Sequence, residues 1–264
     1  MLIPEADRLA AWLDEKSALF NRPEFIQNDP ISIPHRFTQL QDIEISAFFA
    51  AVLAWGQRKT IINKCNELIA AMDNAPFAFI TQHSTADLTR FLKFKHRTFN
   101  ATDTLYFIEF FRQYYARHTS LETAFAQFIT PNDPHCGKAL AGFYGLFFSL
   151  QDAPLRTRKH ISTPDKQSAC KRMNMFLRWM VRRDNQGVDF GLWQHITPAQ
   201  LLIPLDVHVE RVARKLQLLK REKPDWYAVL ELTDRLRTFD PNDPVKYDFA
   251  LFGAGVLEKN AKPF

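Results

Sequence analysis

The chain has 264 residues, 46% of them hydrophobic and 13% aromatic, with 24 phenylalanines, a composition that supplies a core and excludes an intrinsically disordered chain. A formal charge of +5 and a pI near 9.1 favour a polyanionic partner modestly. Cys65, Cys136 and Cys170 are too few and too scattered for a disulfide framework or a CxxC metal site, so a reducing cytoplasm and no metal are expected.

At the start, Glu5 and Asp7 stand where an export signal needs positive charge. The most apolar window, Ile45 to Trp55, falls short of the roughly 18 residues a membrane span requires and reads as a buried helix, so a soluble protein is expected. Apolar residues recur at helical spacing and strict alternation is scarce, which predicts an all-α fold. Ile45, Phe48, Phe49, Val52 and Leu53 form one stripe, with Asp42 and Glu44 as an acidic first turn and an end near Gly56. Ile61 to Met72 reads as the next helix, closed by Asn74-Ala75-Pro76. Shorter helices are expected over Asp103 to Arg117, Leu121 to Ile129 and Cys136 to Leu150.

From Ala169 to Arg182 the stripe is Met173, Phe176, Leu177, Met180 and Val181, with Ser168 as the expected N-cap. Lys171 then shares a side with Asn174, Met175, Arg178 and Arg182, a polar and basic surface suited to an anion. Ile203-Pro204-Leu205-Asp206 leads into a helix with Val209, Val212 and Ala213 inside, and Asp206 sits at its N-cap. A last helix follows Asp240-Pro241-Asn242-Asp243-Pro244 and carries Val245, Phe249, Phe252 and Val256 on one face.

Three segments in this order resemble the helix-hairpin-helix (HhH-GPD) DNA glycosylase superfamily. Asp42 to Leu68 is similar to its early helix and the turn that plugs DNA; Cys170-Lys171-Arg172-Met173 is similar to the helix that carries a nucleophilic lysine in bifunctional members. Pro204-Leu205-Asp206-Val207-His208-Val209 matches the P-[VL]-D-x-[HR]-[VI] signature around the catalytic aspartate. Asp248 to Gly253 resembles the closing helix, and the run IPLDVHVERVARKL is shared with an uncharacterised bacterial family. The spacing of Lys171 and Asp206 is nearest to archaeal 8-oxoguanine glycosylases.

The resemblance implies two docked helical lobes, a helical barrel lobe with the hairpin-like segment over 42–184 and a discontinuous lobe of 1–41 plus 185–264, with Lys171 and Asp206 facing each other across the cleft. It implies a monomeric base-excision repair enzyme without cofactor or iron-sulfur cluster, acting on damaged duplex DNA and removing an oxidised purine such as 8-oxoguanine, with or without strand scission. Lys171 and Asp206 would be catalytic. Gln57, as the plug, with Arg58, Lys166, Ser168, Arg172 and Arg178 would contact DNA, and Trp55, Phe190, Trp193 and His208 would line the base pocket. The superfamily hairpin reads L-P-G-x-G-x-K, whereas Thr163 to Lys171 contains no glycine.

Each residue also has a plainer reading. Asp206 serves as an N-cap whatever else it does, Lys171 as a solvated helix lysine, and the arginines as a solvated face. Two rival functions follow: a noncatalytic nucleic-acid-binding protein that keeps the glycosylase fold, and a helical interaction protein without a nucleic-acid partner.

Overall fold

Four of the helices begin where a short side chain accepts from the first free amides, or where proline has no amide to lose. Residues 5–257 are described by the computed structural model, and they form eleven α-helices, short 3₁₀ turns and one two-stranded hairpin, an all-α fold. The helices are α1 (Glu5–Phe20), α2 (Leu40–Leu53), α3 (Arg58–Ala71), α4 (Pro76–Gln82), α5 (Ala101–Tyr115), α6 (Glu122–Ala126) and α7 (Gly137–Phe147). They continue with α8 (Lys171–Val181), α9 (Val207–Lys215), α10 (Trp226–Arg237) and α11 (Tyr247–Leu257). Asn100 and Asp103 build a capping box on α5, and Asp206 and Asp225 cap α9 and α10. No helix among the described residues is long and apolar enough to cross a membrane.

The chain divides into two compact units, one of the residues up to Phe25, Pro131–Cys136 and Pro164 onward, the other of Ile26–Thr130 and Gly137–Thr163. This boundary differs from the expected one in an important place: residues 164–184, assigned from sequence to the barrel lobe, belong with α9, α10 and α11. Lys171 and Asp206 therefore lie within one unit and do not come from two lobes.

The second unit is organised by aromatic packing. The Phe48 ring lies 5.4 to 5.9 Å from Phe107, Phe111, Phe143 and Phe147, and Phe125 stacks on Phe143 at 3.9 Å. Helix α2 is buried on every side from Ile43 to Leu53, so its expected single stripe is a full circumference. Glu44, expected with Asp42 in an acidic first turn, lies one residue past the first turn of α2, which holds Asp42 alone. It is wholly buried, and its carboxylate accepts from the Tyr115 hydroxyl at 2.9 Å, Ser120 Oγ at 2.6 Å and the Leu121 amide at 2.9 Å. The fully buried Asp103 is similarly held: its carboxylate accepts from the Asn100 amide at 2.9 Å and Thr157 Oγ1 at 2.8 Å, pairs with Arg156, and lies 3.2 Å from His160 Nε2. Burial pushes the Asp103 carboxyl up, but the bonds from His160, Asn100, Thr157 and Arg156 together outweigh it and hold it down at about 2.

One element was unexpected from sequence. Strands β1 (Lys95–His96) and β2 (Phe99–Asn100) pair antiparallel, with Lys95 opposite Asn100 and His96 opposite Phe99.

In the first unit, α11 packs against both α1 and α9. Two glycines permit the close approach: a Cβ on Gly253 would come 2.1 Å from the Phe20 ring, and one on Gly255 would come 2.9 Å from the backbone oxygen of His208. This seats α11, with Asp248 near its start, beside the end of the chain segment that bears Asp206.

Candidate active site

Asp206 is positioned by its own helix. In extended conformation (φ −116°, ψ 178°), it directs Oδ1 at the amides of His208 and Val209, at 2.8 and 2.9 Å. That bond pair occupies one carboxylate oxygen, and the other, Oδ2, stands 3.5 Å from Lys171 Nζ. A nitrogen at 3.5 Å is attracted as a charge but lies outside ordinary hydrogen-bond range, so the amine is near the acid without being locked to it. The Asp206 side chain is 10% exposed and that of Lys171 35% exposed, so the pair is partly open to solvent on the lysine side.

Lys171 opens α8 by an irregular route. Ser168 is not the N-cap: that place belongs to Cys170, which is left-handed (φ 48°) and makes no side-chain cap, while Ser168 Oγ accepts from the Cys170 amide at 3.2 Å. Gln167, also left-handed at φ 54°, accepts from the Trp226 amide through its carbonyl at 3.1 Å, which ties this turn to the start of α10.

Behind the pair lies a buried ion network. Arg178, on the same helix as Lys171, pairs with Asp248 and places Nε 3.2 Å from Asp189 Oδ1. Arg182, one turn further, reaches Asp184 at 2.5 Å, Asp243 at 2.9 Å and Asp189 at 3.2 Å. The Phe249 ring lies under both guanidinium groups, at 4.5 and 5.2 Å. Burial raises the Asp189 carboxyl against the pull of both arginines. Burial also pushes Asp248 up to about 7 against the pull of Arg178, with Asp206 and Asp189 adding to the rise, and Asp248 Oδ1 is buried without a hydrogen-bond partner. The interaction with Asp206 links the network to the Lys171 pair.

Two expectations are overturned here. Arg178 and Arg182 are 8% and 4% exposed, so the side of α8 they share with Lys171 and the buried Asn174 is not a basic surface, and Arg178 is unsuited to contact DNA. Trp193 is 1% exposed and packs edge-on against Phe176 at 5.4 Å, so it belongs to the core and not to a base pocket.

The other expected residues are distributed as follows. Lys166 is exposed, and Arg172 is half-buried with its guanidinium pulled down to about 10 by desolvation. Phe190 is half-buried, its amide donating to the Trp179 carbonyl at 2.8 Å. His208 turns toward α11, with Phe252 edge-on at 6.0 Å. Trp55, Gln57 and Arg58 are together at the α2–α3 turn in the other unit, where Gln57 is the exposed N-cap of α3. Asp189 and Asp248 carried a sequence signal that went unread: each is an acid inside an apolar run, Val188-Asp189-Phe190 and Asp248-Phe249-Ala250-Leu251, where a charge needs a partner. Among the described residues, no group of three or more His, Cys, Asp or Glu side chains is arranged to hold a metal ion.

A family model described as "Protein of unknown function (DUF2400)" matches residues 29–257, and the chain belongs to that family. No curated protein and no solved structure matches the chain.

Proposed function

We propose that this DUF2400 member is a DNA base-excision glycosylase whose reacting groups are Lys171 and Asp206. The observation that carries the reading is the 3.5 Å approach of an accessible amine to a carboxylate whose other oxygen is already committed to a helix cap. A carboxylate held this way cannot swing aside, and it can offset the positive charge that develops on a sugar ring as the glycosidic bond stretches. The amine can supply its nitrogen lone pair to C1′ as the bond to the base breaks, the departing base taking the electron pair and a proton. Loss of the amine proton and opening of the C1′–O4′ bond leave an imine, from which loss of a C2′ proton expels the 3′ phosphate. An oxidised purine such as 8-oxoguanine is the substrate class that the helix-hairpin-helix resemblance implies, and DNA is the polyanion that a positive chain would attract.

The turn before Lys171 adds support. Counted back from Lys171, Gln167 occupies the first glycine of the L-P-G-x-G-x-K pattern, and its φ of 54° is the left-handed conformation that glycine would adopt freely. The conformation is thus available without the residue type.

Borohydride reduction in the presence of duplexes carrying single oxidised or abasic lesions tests the reading. A covalent adduct is expected with the native chain and is expected to vanish in Lys171→Ala. Salt-dependent duplex binding with no adduct and no released base on any lesion would favour the noncatalytic binder instead.

A further inference from the structure

The hairpin tip is built in a way its turn chemistry does not explain. Two-residue hairpin turns favour Gly or Asn at the first position because φ is positive there, yet this chain places Arg97 there at φ 55°. A residue held against its preference, in a well-anchored element, is a reason to look for a function in its side chain. The hairpin is well anchored: His96 Nε2 meets the Trp55 carbonyl at 3.3 Å, Arg156 donates to the Thr98 carbonyl at 2.9 Å, and Phe94 packs edge-on against Phe99 at 6.3 Å.

The Arg97 guanidinium lies over the Trp55 ring at 4.7 Å, directly above the Gly56 turn, where a Cβ would come 2.8 Å from Arg97 Nη1. The two segments that meet at this stack, the hairpin and the α2–α3 turn, both carry further cations close by in sequence. Lys95 is exposed on the hairpin, Lys93 just before it and Lys59 on the first turn of α3, while Lys64 of α3 lies over the Phe94 ring at 5.5 Å. Burial lowers His96 below the usual histidine range, with Arg97 and Lys64 adding to the fall. Acids are scarce: none occurs between Glu44 and Glu67 or between Asp87 and Asp103, and Glu67 is paired with Lys64.

We propose that the β1–β2 hairpin, with Arg97 stacked on Trp55 and flanked by Lys59, Lys93 and Lys95, is a phosphate-gripping surface for the backbone of duplex DNA. A guanidinium stacked on an aromatic face keeps its N–H edges free to fork onto a phosphate, and cations set around an aromatic platform suit a nucleic-acid strand better than a single small anion. The choice of partner rests on the nucleic-acid reading above; the location rests on the hairpin geometry.

Binding of an undamaged duplex across a salt series tests it, using Lys93→Gln/Lys95→Gln/Arg97→Asn against a control of equal charge change, Lys215→Gln/Lys220→Gln/Arg235→Gln. If each hairpin cation neutralises one phosphate, the log–log salt slope falls by about 2.7 and affinity near physiological salt falls about tenfold or more, with a much smaller change in the control. Arg97→Asn alone separates binding from folding: asparagine suits the left-handed turn, so the unfolding midpoint should hold or rise while affinity drops. Equal losses in the two triple variants, unchanged binding in the hairpin triple, or equal affinity for a polyglutamate chain would overturn the proposal. Lesion trapping on the same samples reads the glycosylase proposal separately, since the hairpin triple should still form the adduct at saturating duplex and Lys171→Ala should not.

Discussion

The two units bury charge in opposite ways. Around α2 and α5, the fully buried carboxylates of Glu44 and Asp103 each collect several donors and sit at the edge of a phenylalanine cluster. Around α8, charge is buried against charge: Arg178 and Arg182 are shared among Asp184, Asp189, Asp243 and Asp248, and one oxygen of Asp248 is left without a partner. Satisfied acids of the first kind hold segments together, whereas buried ion networks gain little over apolar packing and so call for another reason to exist. Here the network stands directly behind the Lys171–Asp206 pair.

Breaking one member of each core probes that contrast. Arg178→Ala strands the buried Asp248 and leaves Asp189 only Arg182, and is expected to cost about 3–5 kcal/mol in denaturant unfolding, more than its truncated volume alone explains. Phe48→Ala is expected to cost roughly 3–5 kcal/mol through the cavity it leaves among four other rings. The signatures differ: the arginine variant should recover part of its stability as pH falls and the stranded carboxyls protonate, and the phenylalanine variant should not.

The pH profile sharpens the comparison further. A carboxyl raised by burial from 3.8 to about 7, as Asp248 is, contributes stability that is complete below about pH 3.8 and is lost as pH rises through about 7. Native chain should therefore lose stability relative to Asp248→Asn across that window, with a slope of at most about 1.4 kcal/mol per pH unit. Asp103, lowered from 3.8 to about 2, has the opposite sign: its contribution is complete above about pH 3.8 and is lost as pH falls through about 2. A flat difference between native and Asp248→Asn from pH 4 to 7 would show that Asp248 is ionised throughout.

The smallest effect separates the cap that Asp206 makes from its proposed role in base release. Asp206→Ala should cost about 0.5–2 kcal/mol through the lost cap, while Asp206→Asn keeps an acceptor for His208 and Val209 and should unfold like the native chain. Both should lose base release, because neither offers a charge beside Lys171.

Local signals in the chain determined much of this. The apolar spacing specified helices, Asp206 announced its cap through bonds that span only two and three residues, and Gly56 announced the turn it occupies at φ 113°. The pairing of Lys171 with Asp206 was suggested by resemblance, and the two side chains stand 3.5 Å apart. Tertiary structure alone decided the partners of charged groups. Helical spacing places Lys171, Arg178 and Arg182 on one side but does not say what covers that side, and the answer comes from Asp189, Asp243 and Asp248, brought in by a loop and a distant helix. Trp193 likewise went to the core and Arg97 to a strained turn over Trp55, because burial and ring contacts are set by neighbours far away in the chain. Backbone amides choose their partners within a turn of helix, and a sequence shows that neighbourhood; a buried charge takes whichever opposite charge folding delivers, which no local pattern records.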